Sequence, residues 1–334
     1  MNSKQRCLNS IAGKKVDRTP VFPLLMSFAA KRIGASYRQF ASDAQVLAQS
    51  QLNIFEKFNV DAVTACSDAF RVSADLGGEM VFPEEHPPHL AAPLVRNLQD
   101  LNSLKRPDVS NASSRMYDRA KAVECLSKNI GDRCMVAGWV DMPFAESCSI
   151  CGVSELLMLT YENQQLVHTT LEFLTDIVID FALLQIESGA HMVGAGDAAA
   201  SLISPEMYRE FALPYEKRVI QAVHNAGGLV KLHICGNTSA LLEDMVKTDA
   251  DLFNVDHMVD FDTACCVYGK AGKCFKGNLD PVADILQATP QVCAQKAKSC
   301  IQKAKDTSYM LSAGCEIPAD VPDEVFEAFC DSVQ

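Results

Sequence analysis

The chain has 334 residues, is 48% hydrophobic and carries a formal charge of −12. That balance excludes a nucleic-acid binder, which needs a basic stripe. It also excludes a membrane-spanning chain, because no apolar run approaches the roughly 20 residues a helix needs to cross a bilayer.

Residues 1–20, MNSKQRCLNSIAGKKVDRTP, predict an N-terminal helix and a lead-in. They lack the long apolar stretch and cleavage site of a secretory signal, so a soluble cytoplasmic protein is expected. Eight short runs read as strands: 21–26, 61–66, 134–140, 190–196, 228–235, 252–257, 274–279 and 309–315. Most are nearly continuous in apolar or small residues, as strands of a parallel sheet are when both faces are covered. Helical segments lie between them. Residues 27–56 form the first crossover, and 156–187 is long enough for two helices or one bent helix. Ser204-Pro205-Glu206 opens a helix over 207–225 that Gly227-Gly228 closes, and Thr289-Pro290 opens another. Strand–helix alternation of this kind predicts an α/β fold, a single (β/α)8 barrel with an N-terminal helical extension. With no repeat, linker or low-complexity tract, residues 1–334 are expected to form one domain.

The 14 cysteines are scattered through predicted helices and strands, unlike the framework of a small secreted domain. Most read as small buried hydrophobes. Cys148 and Cys151 form a lone C-x-x-C without a second pair, and Cys265-Cys266 reads as helix packing. Gly194 and Gly196 lack the strand–GxGxxG–helix context of a dinucleotide site.

Each strand-like run is followed at once by a chemically useful residue. In order these are Ser27, Asp68, Asp141, Asp197, His233 with Cys235, Asp256 with His257, Asn278 with Asp280, and Cys315 with Glu316. Polar residues are ordinary where chains turn, but eight in succession fit a barrel whose active site gathers at the C-terminal ends of its strands.

Three of them form a split ligand set. His233 and Cys235 lie in LVKLHICGN, and Cys315 in YMLSAGCEIP. Side chains two apart on a strand share a face, so His233 and Cys235 are neighbours with Ile234 turned away. Two thiolates and one imidazole suit zinc and leave its fourth tetrahedral position open, whereas structural sites are normally closed by four protein ligands. An isolated H-x-C is more simply a core histidine beside a buried cysteine; the Gly-Cys-Glu ending another strand shifts the balance. Two thiolates neutralise the charge of Zn2+. A third, external thiol then ionises below its usual pKa yet keeps its electron density. The pattern therefore predicts thiol activation, with alkyl transfer as its natural chemistry.

At these residues the chain resembles the uroporphyrinogen decarboxylase superfamily, specifically its zinc-dependent methylcobalamin:coenzyme M methyltransferase branch. That branch carries a His-x-Cys and a distant Cys as zinc ligands, matched by His233, Cys235 and Cys315. The lead-in G-x3-DR-x-P is matched by Gly13, Asp17, Arg18 and Pro20. The segment from Asp61 to Asp68 matches D-A-V-x-x-x-S-D, and Gly277 to Val282 matches G-N-x-D-P-V. The arginine-rich R-Q-A-G-R segment of true decarboxylases is replaced by Met26-Ser27-Phe28-Ala29-Ala30-Lys31-Arg32, which argues against a polycarboxylate tetrapyrrole substrate.

The resemblance implies methyl transfer from a methylated corrinoid, carried by a corrinoid protein, to a small thiol such as coenzyme M. Alternatives are transfer to tetrahydrofolate, uroporphyrinogen decarboxylation, and a corrinoid-binding accessory protein without turnover. Asp68 and Asp197 are the expected catalytic carboxylates. By resemblance Asp68 faces the tetrapyrrole or corrin; otherwise it caps the next helix. Asp197 is read as the acceptor for the His233 ring N–H, as a transient fourth ligand, or as a plain turn residue. Glu316 and His257 have the same standing. Asn278 and Asp280 are expected on the corrinoid-binding side, or to fix the turn after the seventh strand.

Overall fold

The computed structural model describes residues 1–334. Nine strands occur in chain order: β1 (Ala62–Thr64), β2 (Met80–Val81), β3 (His89–Leu90), β4 (Met135–Asp141), β5 (Met192–Gly196), β6 (Leu229–His233), β7 (Leu252–Asn254), β8 (Cys274–Leu279) and β9 (Tyr309–Ala313). Seven form one parallel sheet in the order β1-β4-β5-β6-β7-β8-β9, curled within a layer of helices as in a (β/α)8 barrel. β2 and β3 form a separate antiparallel hairpin that the sequence did not announce.

The eighth barrel position belongs to residues 20–24. Phe22 N–H donates to Leu311 O at 2.9 Å, and Asp61 N–H donates to Val21 O at 2.8 Å. The segment thus touches β9 on one side and the start of β1 on the other. It makes only isolated bridges, Val21 with Leu311 and Leu24 with Glu316. Pro20 and Pro23 explain this, since neither can donate to a ladder.

The lead-in motif locks this closure. Asp61 is fully buried and accepts from Arg18 at 2.8 Å, from Val21 N–H at 2.8 Å and from Arg6. Arg6 also grips Asp17 at 2.7 Å. Burying a carboxylate is costly unless it is paired and hydrogen-bonded, and here every partner lies in the N-terminal segment.

The expected helices occur, with breaks. The helix Val153–Glu162 is separated from Gln164–Glu187 at Asn163, whose side chain accepts from Leu166 N–H. Ser204 caps Pro205–Phe211, but a second helix starts at Leu213, because Pro214 cannot donate within a continuous turn. The first crossover is three helices, Ser27–Arg32, Tyr37–Ser42 and Ala44–Phe58.

Alternation fills the barrel in layers. Ala62, Met135, Met192, Leu252, Cys274 and Met310 make an apolar floor. Above it lie Phe22 and two fully buried lysines, Lys231 and Lys276. Lys276 Nζ donates to Phe22 O at 2.6 Å and Ser312 Oγ at 3.2 Å. Trp139 and His233 stand above the lysines, with ring centroids 6.4 Å apart.

Candidate metal centre

β6 ends at His233, and Cys235 follows in a turn made by Gly236, which has φ +86. His233 is buried, whereas Cys235 and Cys315 are half-exposed at the mouth. Ile234 points away into the core. Cys315 lies two residues beyond the end of β9. Gly314 brings it in over the β7 loop: a β-carbon there would sit 2.3 Å from His257 N, so only glycine fits.

The geometry suits a dication. Cys235 Sγ lies 3.0 Å from His233 Nε2 and 3.8 Å from Cys315 Sγ. All three ligand atoms fall within 4.8 Å of one another. Zn–S bonds of about 2.3 Å at a tetrahedral angle put two sulfurs about 3.8 Å apart. The S···N pair needs to open only to about 3.5 Å, given a Zn–N bond near 2.0 Å. The two sulfurs lie within hydrogen-bond reach of each other. A hydrogen bond from Cys235, helped by His233, holds Cys315 below the ordinary thiol range, and the same contact pushes Cys235 up. A dication between them would favour the ionised form of both, since a thiol binds a metal as its thiolate.

The outer contacts orient the ligands. His233 Nδ1 lies 3.3 Å from Asn254 O, leaving Nε2 toward the thiols. Asn254 Nδ2 donates to Gly314 O at 3.1 Å. Asn254 thus ties both halves of the ligand set. Sequence reasoning missed it. The usable signal was that Asn254 pairs in register with His233 and so shares its inward parity.

Asp197 lies elsewhere than expected. The His233 ring N–H acceptor is Asn254 O, and Asp197 instead donates its own backbone N–H to His233 O at 2.9 Å. Its side chain is fully buried against Glu216, whose other oxygen accepts from Tyr208. Burial and the neighbouring Glu216 push the Asp197 carboxyl well up. The chain turns outward after Gly196, which carries this carboxyl behind the strand layer. It is not among the grouped ligands.

Asp68 is pinned. Arg115 grips it bidentately at 2.9 Å and 2.9 Å, and Ser67 Oγ donates at 2.6 Å. Burial raises its pKa, but Arg115, Arg71 and Arg119 outweigh this and hold the carboxyl far below its usual range. The segment from Asp61 to Asp68 therefore ends on a carboxylate that organises an arginine cluster. Asn278 Nδ2 donates to Val259 O at 2.7 Å and Asp256 O at 3.1 Å. Asp280 accepts from Val282 N–H and Ala283 N–H at 2.8 Å and 3.0 Å. Asn278 thus holds the loop that follows β7, and Asp280 holds the turn that follows β8. Glu316 accepts from Ser27 N–H at 2.7 Å and Ser27 Oγ at 2.6 Å, joining the first and last strand ends. His257 lies 3.0 Å from Asp256.

Gly194 and Gly196 make room for Trp139. A β-carbon at either position would meet its indole, at 2.5 Å and 2.8 Å. Gly196 pairs with Asp141 on one side and His233 on the other. Asp141 accepts from Trp139 Nε1 at 3.4 Å, and burial pushes its carboxyl up to about 7.

The model of the family described as uroporphyrinogen decarboxylase (URO-D) matches residues 2–334. The chain belongs to this family. Within it, the chain is 27% identical over 337 residues to a uroporphyrinogen decarboxylase of Prochlorococcus marinus, covering 96% of this chain and 95% of that one. It is 28% identical over 325 residues to the methylcobamide:CoM methyltransferase MtbA of Methanosarcina mazei, covering 96% and 94%. The two activities are thus equally near in sequence, and overall identity does not choose between them. A solved methyltransferase from Methanosarcina mazei superposes with a TM-score of 0.89 over 99% of this chain and 98% of that one, at 20% identity, a likeness of fold.

Proposed function

We propose that this family member is a zinc-dependent methyltransferase that moves a methyl group from a methylated corrinoid, carried by a corrinoid protein, to a small thiol. The observation that carries this reading is the 3.8 Å separation of Cys235 and Cys315 sulfurs beside His233 Nε2 at the barrel mouth. His233, Cys235 and Cys315 would hold the zinc, which when bound acidifies an incoming thiol without quenching its nucleophilicity. A relative named as a methylcobamide:CoM methyltransferase supports a corrinoid donor and a thiol as the class of acceptor.

The protein's own groups define the rest of the reaction. Asn254 fixes the imidazole tautomer. Cys235 and Cys315, part-exposed at the mouth, would present a bound metal to an incoming thiol and to the methyl donor. A sulfur–carbon bond forms as the cobalt–carbon bond breaks. The electron pair of that bond stays on cobalt, giving Co(I) and a thioether, and the thiol proton leaves to solvent.

The cations favour this over decarboxylation. Lys31 and Arg32, which follow the first barrel segment, turn to Asp320 and Asp323. Arg71, Arg115 and Arg119 are committed to Asp68 and nearby carbonyls. Few charges remain to hold a polycarboxylate.

The test combines metal analysis with an assay. Protein purified without added metal should retain about one zinc per chain, as one four-coordinate site requires. Mixed with methylcobalamin and a thiol, it should bleach the methyl-cobalt absorbance and yield a thioether. Cys315→Ala should lose both properties. Activity that survives in Cys315→Ala, or conversion of an octacarboxylate porphyrinogen by a metal-free preparation, would overturn the reading.

A further inference from the structure

A cavity of about 510 Å³ opens beside the proposed metal centre. Its walls come from five places, one of them the helix Pro143–Cys151, which lends Ala145 and Cys148. Phe70 follows β1, Leu90 and Pro93 come from the β2–β3 hairpin, Asp141 ends β4, and Ala199 and Leu202 lie on the short 3-10 turn Ala198–Leu202. Two contacts join it to the ligand set. Asp141 stands in the row Asp141–Gly196–His233, and a β-carbon at Gly196 would lie 3.0 Å from its Oδ1. Ser201, on the same 3-10 turn, would meet a β-carbon at Gly236 at 3.3 Å, directly after Cys235. Asp141 thus links the cavity to the strand row that ends at His233.

The lining is mostly apolar and includes no lysine or arginine. Its charged candidates are Asp141 near the metal end and His89, exposed at the rim. A sulfonate or carboxylate tail would find no cation to pair with. The titratable group near the metal end is the Asp141 carboxyl, which offers an anionic tail no positive charge. The volume suits a small molecule of drug-like size or less and is small for a whole corrin macrocycle.

We infer that this cavity receives the apolar, uncharged body of the acceptor thiol, so that the enzyme favours neutral thiols over anionic ones such as 2-mercaptoethanesulfonate. The inference rests on the thiol-methylation reading and specifies its substrate class. The mouth places the sulfur at the metal centre and the body against Phe70, Leu90 and Leu202. Asp141 offers one hydrogen-bonding group between the two.

Two measurements separate this inference from the reading beneath it. In the first, zinc-loaded protein is titrated calorimetrically with benzyl alcohol and with phenylmethanesulfonate, neither of which has a thiol. Benzyl alcohol should bind at least tenfold more tightly. Ala198→Trp, at an exposed lining position, and Ala91→Trp on the opposite wall should each weaken it at least fivefold while zinc content stays unchanged. Equal or tighter binding of the sulfonate, or tryptophan variants that bind benzyl alcohol normally, would overturn the inference. In the second, phenylmethanethiol and 2-mercaptoethanesulfonate compete for methylcobalamin. A kcat/KM at least tenfold higher for phenylmethanethiol supports the inference. Methylation with the sulfonate preferred removes the inference and leaves the methyltransferase standing. Methylation of neither thiol, with benzyl alcohol still displaced by the tryptophans, removes the methyltransferase and leaves the cavity.

Discussion

The imidazole of His233 is aimed by the backbone of Asn254, whose carbonyl oxygen lies 3.3 Å from Nδ1. The same residue holds the other half of the ligand set, through its side-chain amide on Gly314 O at 3.1 Å. One strand-end asparagine therefore sets both the direction of the nitrogen ligand and the approach of the distant sulfur. Hydrogen bonds that orient ligands typically change metal affinity by 10–100-fold when removed.

Asn254→Ala should keep the backbone contact to His233 and lose the clamp on Gly314. We expect zinc affinity to fall by about tenfold, toward the lower end of that range. Competition with a chromophoric chelator measures it. Wild-type affinity in this variant would mean that Gly314 is held by its surroundings alone.

Gly314→Ala tests the approach of Cys315 from the other side. The added carbon would be driven to 2.3 Å from His257 N and 2.9 Å from the Asp256 carbonyl carbon, both backbone atoms that cannot swing away. The β7 loop or the Cys315 turn must shift. Overpacking of this kind costs about 1–3 kcal/mol. Urea denaturation should register that loss, and metal analysis should show zinc depletion. A variant with full zinc and unchanged stability would show that the crossing relaxes freely.

The sequence made the barrel legible because continuous apolar runs and capped helices repeat in a fixed alternation. It made His233, Cys235 and Cys315 legible because each closes such a run. What it hid depends on register and on distant partners. Asn254 lies inside a run whose polar end drew attention to Asp256 and His257, and only its pairing with His233 reveals its direction. Asp68 has its carboxylate fixed by Arg115, 47 residues on, with no local signal for that pairing. Asp197 follows a strand as the other site residues do, yet it turns toward Glu216 on a packed helix. The 21–26 run reads as an ordinary strand, and Pro20 and Pro23 reduce it to bridges.

The Asp197–Glu216 pair should make stability depend on pH. Burial, the largest cause, pushes Glu216 up from 4.5 to about 7. Between those values the folded chain keeps a proton that the unfolded chain has released. This contribution is complete below pH 4.5 and is lost as pH rises toward about 7. A tenfold change in proton affinity is worth about 1.4 kcal/mol, so the site accounts for on the order of 3 kcal/mol, shared with Asp197. Glu216→Gln should flatten the stability profile between pH 5 and pH 7, as read by urea denaturation at each pH. An unchanged slope would mean that the pair is already solvated or ionised.

Lys231 presents a different balance. It lies two residues before His233 on the same inward face, and its Nζ is fully buried without a hydrogen-bond partner. It rests over the Phe22 and Trp139 rings at 5.0 Å and 4.8 Å. Ring faces attract an ammonium group, but they replace only part of the lost hydration. Lys231→Met keeps the stem volume and removes the unsatisfied group, so we expect stability to rise by about 1–3 kcal/mol. Function should move the opposite way. Two cysteine sulfurs and an incoming thiol bring negative charge to the layer above, and the ammonium is a positive charge directly beneath it. The KM for the acceptor thiol should therefore rise severalfold while zinc content holds. A variant that is more stable with an unchanged KM would make Lys231 a packing residue, and one that is less stable would show that its amine is satisfied where it lies.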